Sequence, residues 1–294
     1  MEIKAAVVKE LRERTGAGMM ECKKALQACA GDMEAAIQHL RKAGLAKAAK
    51  RTGKVAVEGV VVIHEIGRTV AMVEVNCETD FVTKGDEFSA FCEAVVSVIL
   101  QKQPPDLPAL MRLPMGSGES DTVEERQQQL AAKIGEKIAV RRFDVLPCKG
   151  LPGVYSHGNR RIGVIVDLEG GEPGLAKDIA MHVAASRPLC VNETAVPAKL
   201  LEKEKEVLTA QAENSGKPPD IIEKMVQGRL KKFFAEVTLL GQPFVKDPEV
   251  SVGQLLRKAG ARVHSFTRFE VGEGLEKKTE NFAAEVMAQV IPEK

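Results

Sequence analysis

The amino-acid sequence predicts an α+β protein, and three observations predict it. Residues 1–54 carry apolar side chains at helical spacing, whereas from Val55 the spacing becomes that of strands, in two runs that read as a hairpin followed by a helix. The same order of hairpin and covering helix returns near residue 153. Two long, charged, amphipathic stretches then lie between residues 198 and 240. A chain of 294 residues, 44% hydrophobic and 28% charged, is ordinary for a folded protein, and its length suggests about two or three domains.

Residues 1–54 divide into three helices. Ile3, Ala6, Val7 and Leu11 share one face, and Thr15-Gly16-Ala17-Gly18 breaks the run. A second helix is expected over about 19–29. Gly31 ends it, Asp32 can cap a third carrying Ala36, Ile37 and Leu40, and Gly44 falls near its far end. Basic side chains outnumber acidic ones here, which suits an acidic protein surface or RNA.

The first half of the core, 55–145, opens with Val55–Ile63 and Val70–Val75 around the turn Gly67-Arg68, covered by a helix over 87–100. Residues 101–121, with four prolines and Gly116-Ser117-Gly118, read as a linker or surface loop. Helical spacing resumes over 122–137, and Ile138, Val140, Phe143 and Val145 suggest another strand. In the second half, 146–264, Gly153–Ser156 and Ile162–Val166 flank the turn Gly158-Asn159-Arg160, and 176–185 supplies the covering helix. An internal duplication explains the repeated pattern. Residues 198–214 and 221–240, joined by Ser215-Gly216-Lys217-Pro218-Pro219, form an antiparallel helical hairpin. A C-terminal module, 265–294, ends in a helix over about 278–290.

Chemistry is harder to find. The six cysteines include no CxxC pair, so buried free thiols are expected rather than a disulfide framework or a zinc site. No apolar run approaches the ~18 residues of a membrane span, and no secretory apolar segment follows Met1, so a cytoplasmic location without membrane contact is expected. A net charge of +1, no Trp and a single Tyr argue against direct nucleic-acid binding. Gly16-Ala17-Gly18 follows a helix instead of a strand, and Gly216-Lys217 lacks the rest of a phosphate loop, so no nucleotide, metal or other cofactor is expected and the chain is read as no enzyme. The five histidines have no metal-ligand spacing, and His182 reads as a satisfied helix residue.

One segment looks built to touch something. Glu74–Glu78 leaves the first hairpin and runs into Thr79-Asp80-Phe81-Val82, where strand gives way to helix. Thr79 or Asp80 can be a helix cap with Phe81 a staple on the next turn. Alternatively, a carboxylate and a large ring at the edge of a rigid sheet form an insertion device for a partner's pocket. Met19 and Met20 similarly fit either the core of the second helix or an adaptable surface, and Arg12 and Lys23 either a solvated face or a contact.

Five collinear segments resemble bacterial translation elongation factor Ts. They are Leu11-Arg12-Glu13-Arg14-Thr15-Gly16-Ala17-Gly18-Met19-Met20-Glu21-Cys22-Lys23-Lys24-Ala25-Leu26, Glu74-Val75-Asn76-Cys77-Glu78-Thr79-Asp80-Phe81-Val82, Ile179-Ala180-Met181-His182-Val183-Ala184-Ala185-Ser186, Gly241-Gln242-Pro243-Phe244-Val245 and Arg268-Phe269-Glu270-Val271-Gly272-Glu273-Gly274. The resemblance implies a ubiquitin-associated-like N-terminal domain, a two-part core of antiparallel sheets with covering helices, a protruding helical hairpin and a C-terminal helical module. It implies a partner, elongation factor Tu, whose GDP is released for exchange. It places Asp80 and Phe81 of the Thr79-Asp80-Phe81-Val82 motif beside that partner's nucleotide site, Arg12, Met19 and Met20 on its nucleotide domain and His157 at a second-half contact. Thr79 and Val82 are expected among the contact residues, and Lys23 is expected to add a flanking positive charge to the N-terminal contact. An RNA-binding protein using the basic first domain and a small-molecule enzyme on the duplicated core are the alternatives. RNA retention would distinguish the first, and turnover abolished at one nucleophile the second.

Overall fold

The computed structural model describes residues 3–50, 53–116, 121–214 and 218–276. The helix expected over 278–290 lies outside the described residues. Mixed α+β architecture is what the chain adopts, with ten α-helices and small antiparallel sheets among the described residues.

Helices α1 (Ala5–Thr15), α2 (Met19–Ala28) and α3 (Met33–Lys50) close on one small core of Val8, Leu11, Cys22, Ala25, Leu26 and Ala36. Gly16 ends α1 in the left-handed region at φ 69°, a conformation that favours glycine, and the side chain of Lys133 lies over it. Asp32 Oδ1 accepts from the Ala35 amide at 3.0 Å, capping α3 as the sequence indicates. Gly44 does not stop α3. It is a flat spot instead, because a Cβ there would lie 2.8 Å from the Ala132 Cβ.

Two sheet-and-helix units follow. In the first, β1 (Glu58–Ile66), β2 (Thr69–Cys77) and β3 (Ile138–Pro147) form an antiparallel sheet in the order β1-β2-β3. Between β2 and β3 come α4 (Asp86–Lys102), α5 (Leu107–Met111) and α6 (Val123–Ile134), the last begun by a Thr122/Glu125 capping box. In the second unit, β4 (Leu151–His157) and β5 (Ile162–Glu169) are followed by α7 (Pro173–Ser186), the helices α8 (Ala198–Glu213) and α9 (Pro219–Val237), the short strands β6 (Pro243–Phe244) and β7 (Asp247–Ser251), α10 (Val252–Lys258) and β8 (Arg262–Glu270). β8 completes a sheet in the order β4-β5-β8, and its ladder with β5 continues through Glu270, past the boundary at 264/265 that the sequence suggested. Helices α8 and α9 pack together, with Arg229 bonded to Gln211 at 2.9 Å.

The sheets are the middle of a layered molecule, as period-2 alternation dictates. On β2, Ala71, Val73 and Val75 face a core shared with α4 and α6, while Val70 and Met72 face the second sheet and pack with Ile165, Phe269 and Val271. Val164, Val166 and Leu168 of β5 then turn to α7 and α10. Gly163 lets the sheets close, since a Cβ there would stand 2.4 Å from Val61 Cγ1.

Residues 101–121 are the main correction to the sequence reading. They are no plain linker: α4 runs to Lys102, Asp106 caps α5, Pro114 bridges to Thr122, and Leu110 and Met115 are buried in the first unit's core. The prolines fit because they sit in a helix's first turn and in extended chain, where no amide donor is required.

Candidate functional site

The segment after β2 is held at both ends and open in the middle. Thr79 gives its amide and its hydroxyl to the two carboxylate oxygens of Glu136, at 2.9 and 2.7 Å. Glu78 accepts from the Lys137 amide at 2.6 Å, and Cys77 Sγ donates to the Thr79 carbonyl at 3.1 Å. Downstream, Val82 is buried against α4 and starts a short 3-10 turn, Val82–Lys84, which Gly85 connects to α4. Asp80 and Phe81 project between these anchors, with Phe81 78% exposed. The Lys84 ammonium lies 3.3 Å from Asp80 Oδ2 and 5.5 Å from the Phe81 ring centroid.

This geometry decides against the local reading of the motif. The residue before α4 is Gly85, no side chain caps that helix, and Phe81 is exposed where a staple would be covered. Val82, expected among the contact residues, has a core position, and Thr79 is turned toward Glu136. Of the four motif residues, Asp80 and Phe81 are the ones displayed. Glu136 is the residue that sequence reasoning missed. It sits just beyond the C-cap of α6, and nothing in its neighbourhood announces a partner 57 positions upstream.

Met19 and Met20 open α2 on the surface, 41% and 64% exposed, while Cys22, Ala25 and Leu26 fill the small core in their place. Arg12 and Lys23 are exposed on the adjoining faces. His157 is exposed at the end of β4, its Nδ1 2.9 Å from the Tyr155 hydroxyl and its ring stacked on Tyr155.

Helix α4 adjoins the Phe81 loop and the His157 turn, and α6 links it to the bundle. The 3-10 turn leads into its first residue. Lys133, whose side chain covers Gly16 between α1 and α2, is bonded to Glu87 in the first turn of α4 at 2.5 Å. The turn after His157 reaches the same helix through Arg160, paired with Glu93 at 2.9 Å, and its carbonyl accepts from the Val61 amide at 2.7 Å.

Groups with catalytic potential are committed elsewhere. Ser97 Oγ is 3.4 Å from His64 Nδ1, and His64 Nε2 is 2.6 Å from Glu93, which has the outline of a triad. The Ser97 hydroxyl, however, donates to the Glu93 carbonyl one turn back at 2.8 Å, so its proton is already placed. His182 is fully buried, with Nδ1 accepting from the Val245 amide at 3.2 Å and Nε2 3.0 Å from Gln242 Oε1. Burial pushes its pKa down, against the opposing Gln242 bond. Cys77 is pushed up to about 12 by burial and the carboxylates around it, and so is a packed thiol, not a nucleophile. Among the described residues no group of three or more His, Cys, Asp and Glu side chains is placed to hold a metal ion, and no helix is long and apolar enough to cross a membrane.

The fold and surface therefore define a class: a mixed α+β protein of two sheet-and-helix units and a three-helix bundle, with Phe81 displayed on a braced loop and Met19 and Met20 at the start of α2. Comparison with known proteins gives that class a family. The Elongation factor TS family matches residues 78–273. Elongation factor Ts of Thioalkalivibrio sulfidiphilus is 59% identical over 293 residues, covering 98% of this chain and 99% of the relative. Those of Alkalilimnicola ehrlichii and Methylococcus capsulatus are 56% and 55% identical, covering 98% and 99% of this chain and 99% of each relative. The chain belongs to the elongation factor Ts family.

Proposed function

We propose that this chain is the guanine nucleotide exchange factor of translation elongation that its family implies, binding elongation factor Tu in the cytoplasm and promoting release of its GDP. In this reading Asp80 and Phe81 enter the partner beside its nucleotide and magnesium site. Arg12, Met19, Met20 and Lys23 dock the N-terminal bundle on the partner, and His157 adds a contact from the second unit. Thr79 and Val82 serve the same contact by holding the loop that carries the two inserted residues.

The observation that carries the reading is the exposure of Phe81, 78% open to solvent on a loop fixed at both ends. An apolar ring held in water gains nothing for its own fold, but it can fill a pocket elsewhere without first ordering its backbone. Met20, with a flexible, polarisable side chain 64% exposed, suits an adaptable second contact flanked by basic groups. No bond chemistry is needed. A factor that prefers the nucleotide-free partner must weaken nucleotide binding by the same ratio as nucleotide weakens its own.

The experiment is release of a fluorescent GDP from elongation factor Tu under excess unlabelled nucleotide. Substoichiometric amounts of this chain should accelerate release of all the bound label, with no GTP hydrolysed by the chain alone. Release that stops after one equivalent per chain, or GTPase activity in the isolated chain, would defeat the proposal.

A further inference from the structure

Display of Phe81 requires a brace, and the brace comes from another part of the chain. The connection between α6 and β3 passes directly beneath the loop. Its Glu136 carboxylate takes both polar groups of Thr79, at 2.9 and 2.7 Å, and the next residue gives its amide to Glu78 at 2.6 Å. Glu136 follows Gly135, the left-handed cap of α6 at φ 82°, so it serves no helix end of its own. The upstream side of the loop thus depends on a carboxylate that can accept two donors at once, while the downstream side depends on burial of Val82.

A second connection meets the same point. Lys54, on the segment leading from the N-terminal bundle, places its ammonium 3.5 Å from Glu78 Oε2, and its carbonyl accepts from Lys137 Nζ at 2.7 Å. The segment that enters β1 and the loop that displays Phe81 are therefore tied to one short turn, residues 135–137.

We propose that Glu136 is a positioning residue for nucleotide exchange: by holding the amide and hydroxyl of Thr79 it fixes the direction in which Asp80 and Phe81 project, and so sets the maximal release rate more than the strength of docking. This rests on the exchange reading above. The mechanism is preorganisation, since a loop free to turn must be ordered during the encounter and spends most of its time with the ring misdirected.

The test is a mutant cycle on the full chain, measuring GDP release from elongation factor Tu as a function of exchange-factor concentration. Glu136→Ala should lower the maximal rate on the order of tenfold, as coupled neighbouring residues do, with less than about a threefold change in half-saturating concentration. Glu136→Gln should restore the rate to within about threefold, because its carbonyl accepts from the Thr79 amide while its NH2 donates to the Thr79 hydroxyl. With Phe81→Ala already present, Glu136→Ala should cost clearly less than it does alone, since only Asp80 is left to direct. A loss that repeats in full in the Phe81→Ala background, or no loss from Glu136→Ala while Phe81→Ala is impaired, overturns the positioning role and leaves the exchange reading standing. A normal maximal rate in Phe81→Ala itself overturns the positioning role together with the insertion of Phe81, whereas failure of the parent chain to release GDP overturns the exchange reading.

Discussion

The two sheet-and-helix units solve the same problem in the middle strand and opposite problems just after it. Each middle strand carries a buried carboxylate at a register shift: Glu74 at the break between Glu74 and Val75 of β2, and Asp167 at the break between Asp167 and Leu168 of β5. Glu74 is bonded to Arg141 at 2.8 Å, Arg142 at 2.6 Å, the Asn76 side-chain amide at 3.1 Å and the Gly272 amide at 2.8 Å, whereas among the described residues Asp167 receives the Lys149 and Gly150 amides, at 3.0 and 2.9 Å. Past the strand the units diverge. The connection to α4 raises Phe81 into solvent over Glu136, while the connection to α7 is Gly170-Gly171, at φ 73° and 72°, packed against Gly260 and Ala261. One scaffold position thus makes a display loop in the first unit and a flat glycine corner in the second, and the difference lies in whether the sequence supplies a large side chain and a brace for it.

Removing the carboxylates tests the shared part of this comparison and carries the largest expected effect. Glu74→Ala should cost about 3–5 kcal/mol in urea unfolding, because two arginines, the Asn76 side chain and the Gly272 amide lose a buried anion. Asp167→Ala leaves only two amides unpaired and should cost about 1–3 kcal/mol. Equal losses would break the distinction between the units.

Acid sharpens the same contrast. Burial alone would raise the Glu74 pKa, but the Gly272 amide and the bonds to Arg141 and Arg142 outweigh it and hold the carboxyl below its ordinary value. A carboxyl depressed in the folded chain contributes stability that is complete above its unfolded pKa, about 4.3, and is lost as pH falls through the lower folded value. The cost of Glu74→Ala should therefore shrink when unfolding is followed downward from pH 5, and a cost independent of pH would refute the assignment.

Smaller effects probe the two corners. Gly171→Ala places a Cβ in the left-handed region and 3.0 Å from Leu175 Cδ2, so it should cost about 1–2 kcal/mol in stability and leave GDP release at its normal maximal rate. Smallest of all, Lys84→Ala removes an exposed ion pair with Asp80 and should change stability by less than about 1 kcal/mol.

Much of this architecture is legible in the sequence, for reasons the structure makes plain. Period-2 runs such as Val70–Val75 bury alternate side chains on two faces, and Thr122, Asp32 and Gly16 mark helix ends through local hydrogen bonding, so a short window holds the information. The segment 101–121 misleads because prolines and glycines signal irregular chain, whereas burial of Leu110 and Met115 is decided by α4 and α6. Met19 and Met20 are ambiguous for the same reason, since only the assembled bundle shows that Cys22, Ala25 and Leu26 fill its core. The motif at 79–82 is legible through resemblance. Its support at Glu136 is not, because two residues far apart in sequence meet only after β2 and β3 pair.

In the proposed exchange role, Phe81 is held out for a partner and contributes little to its own domain. The most direct test of that role is a paired measurement on one preparation of Phe81→Ala, thermal unfolding of the free chain and maximal GDP release from elongation factor Tu. The melting temperature should stay within about 2 °C of the parent, since exposed positions shift stability little, and the maximal rate should fall about thirtyfold or more, the loss expected of an interface residue carrying ~2 kcal/mol. A lowered melting temperature with a normal release rate would contradict it.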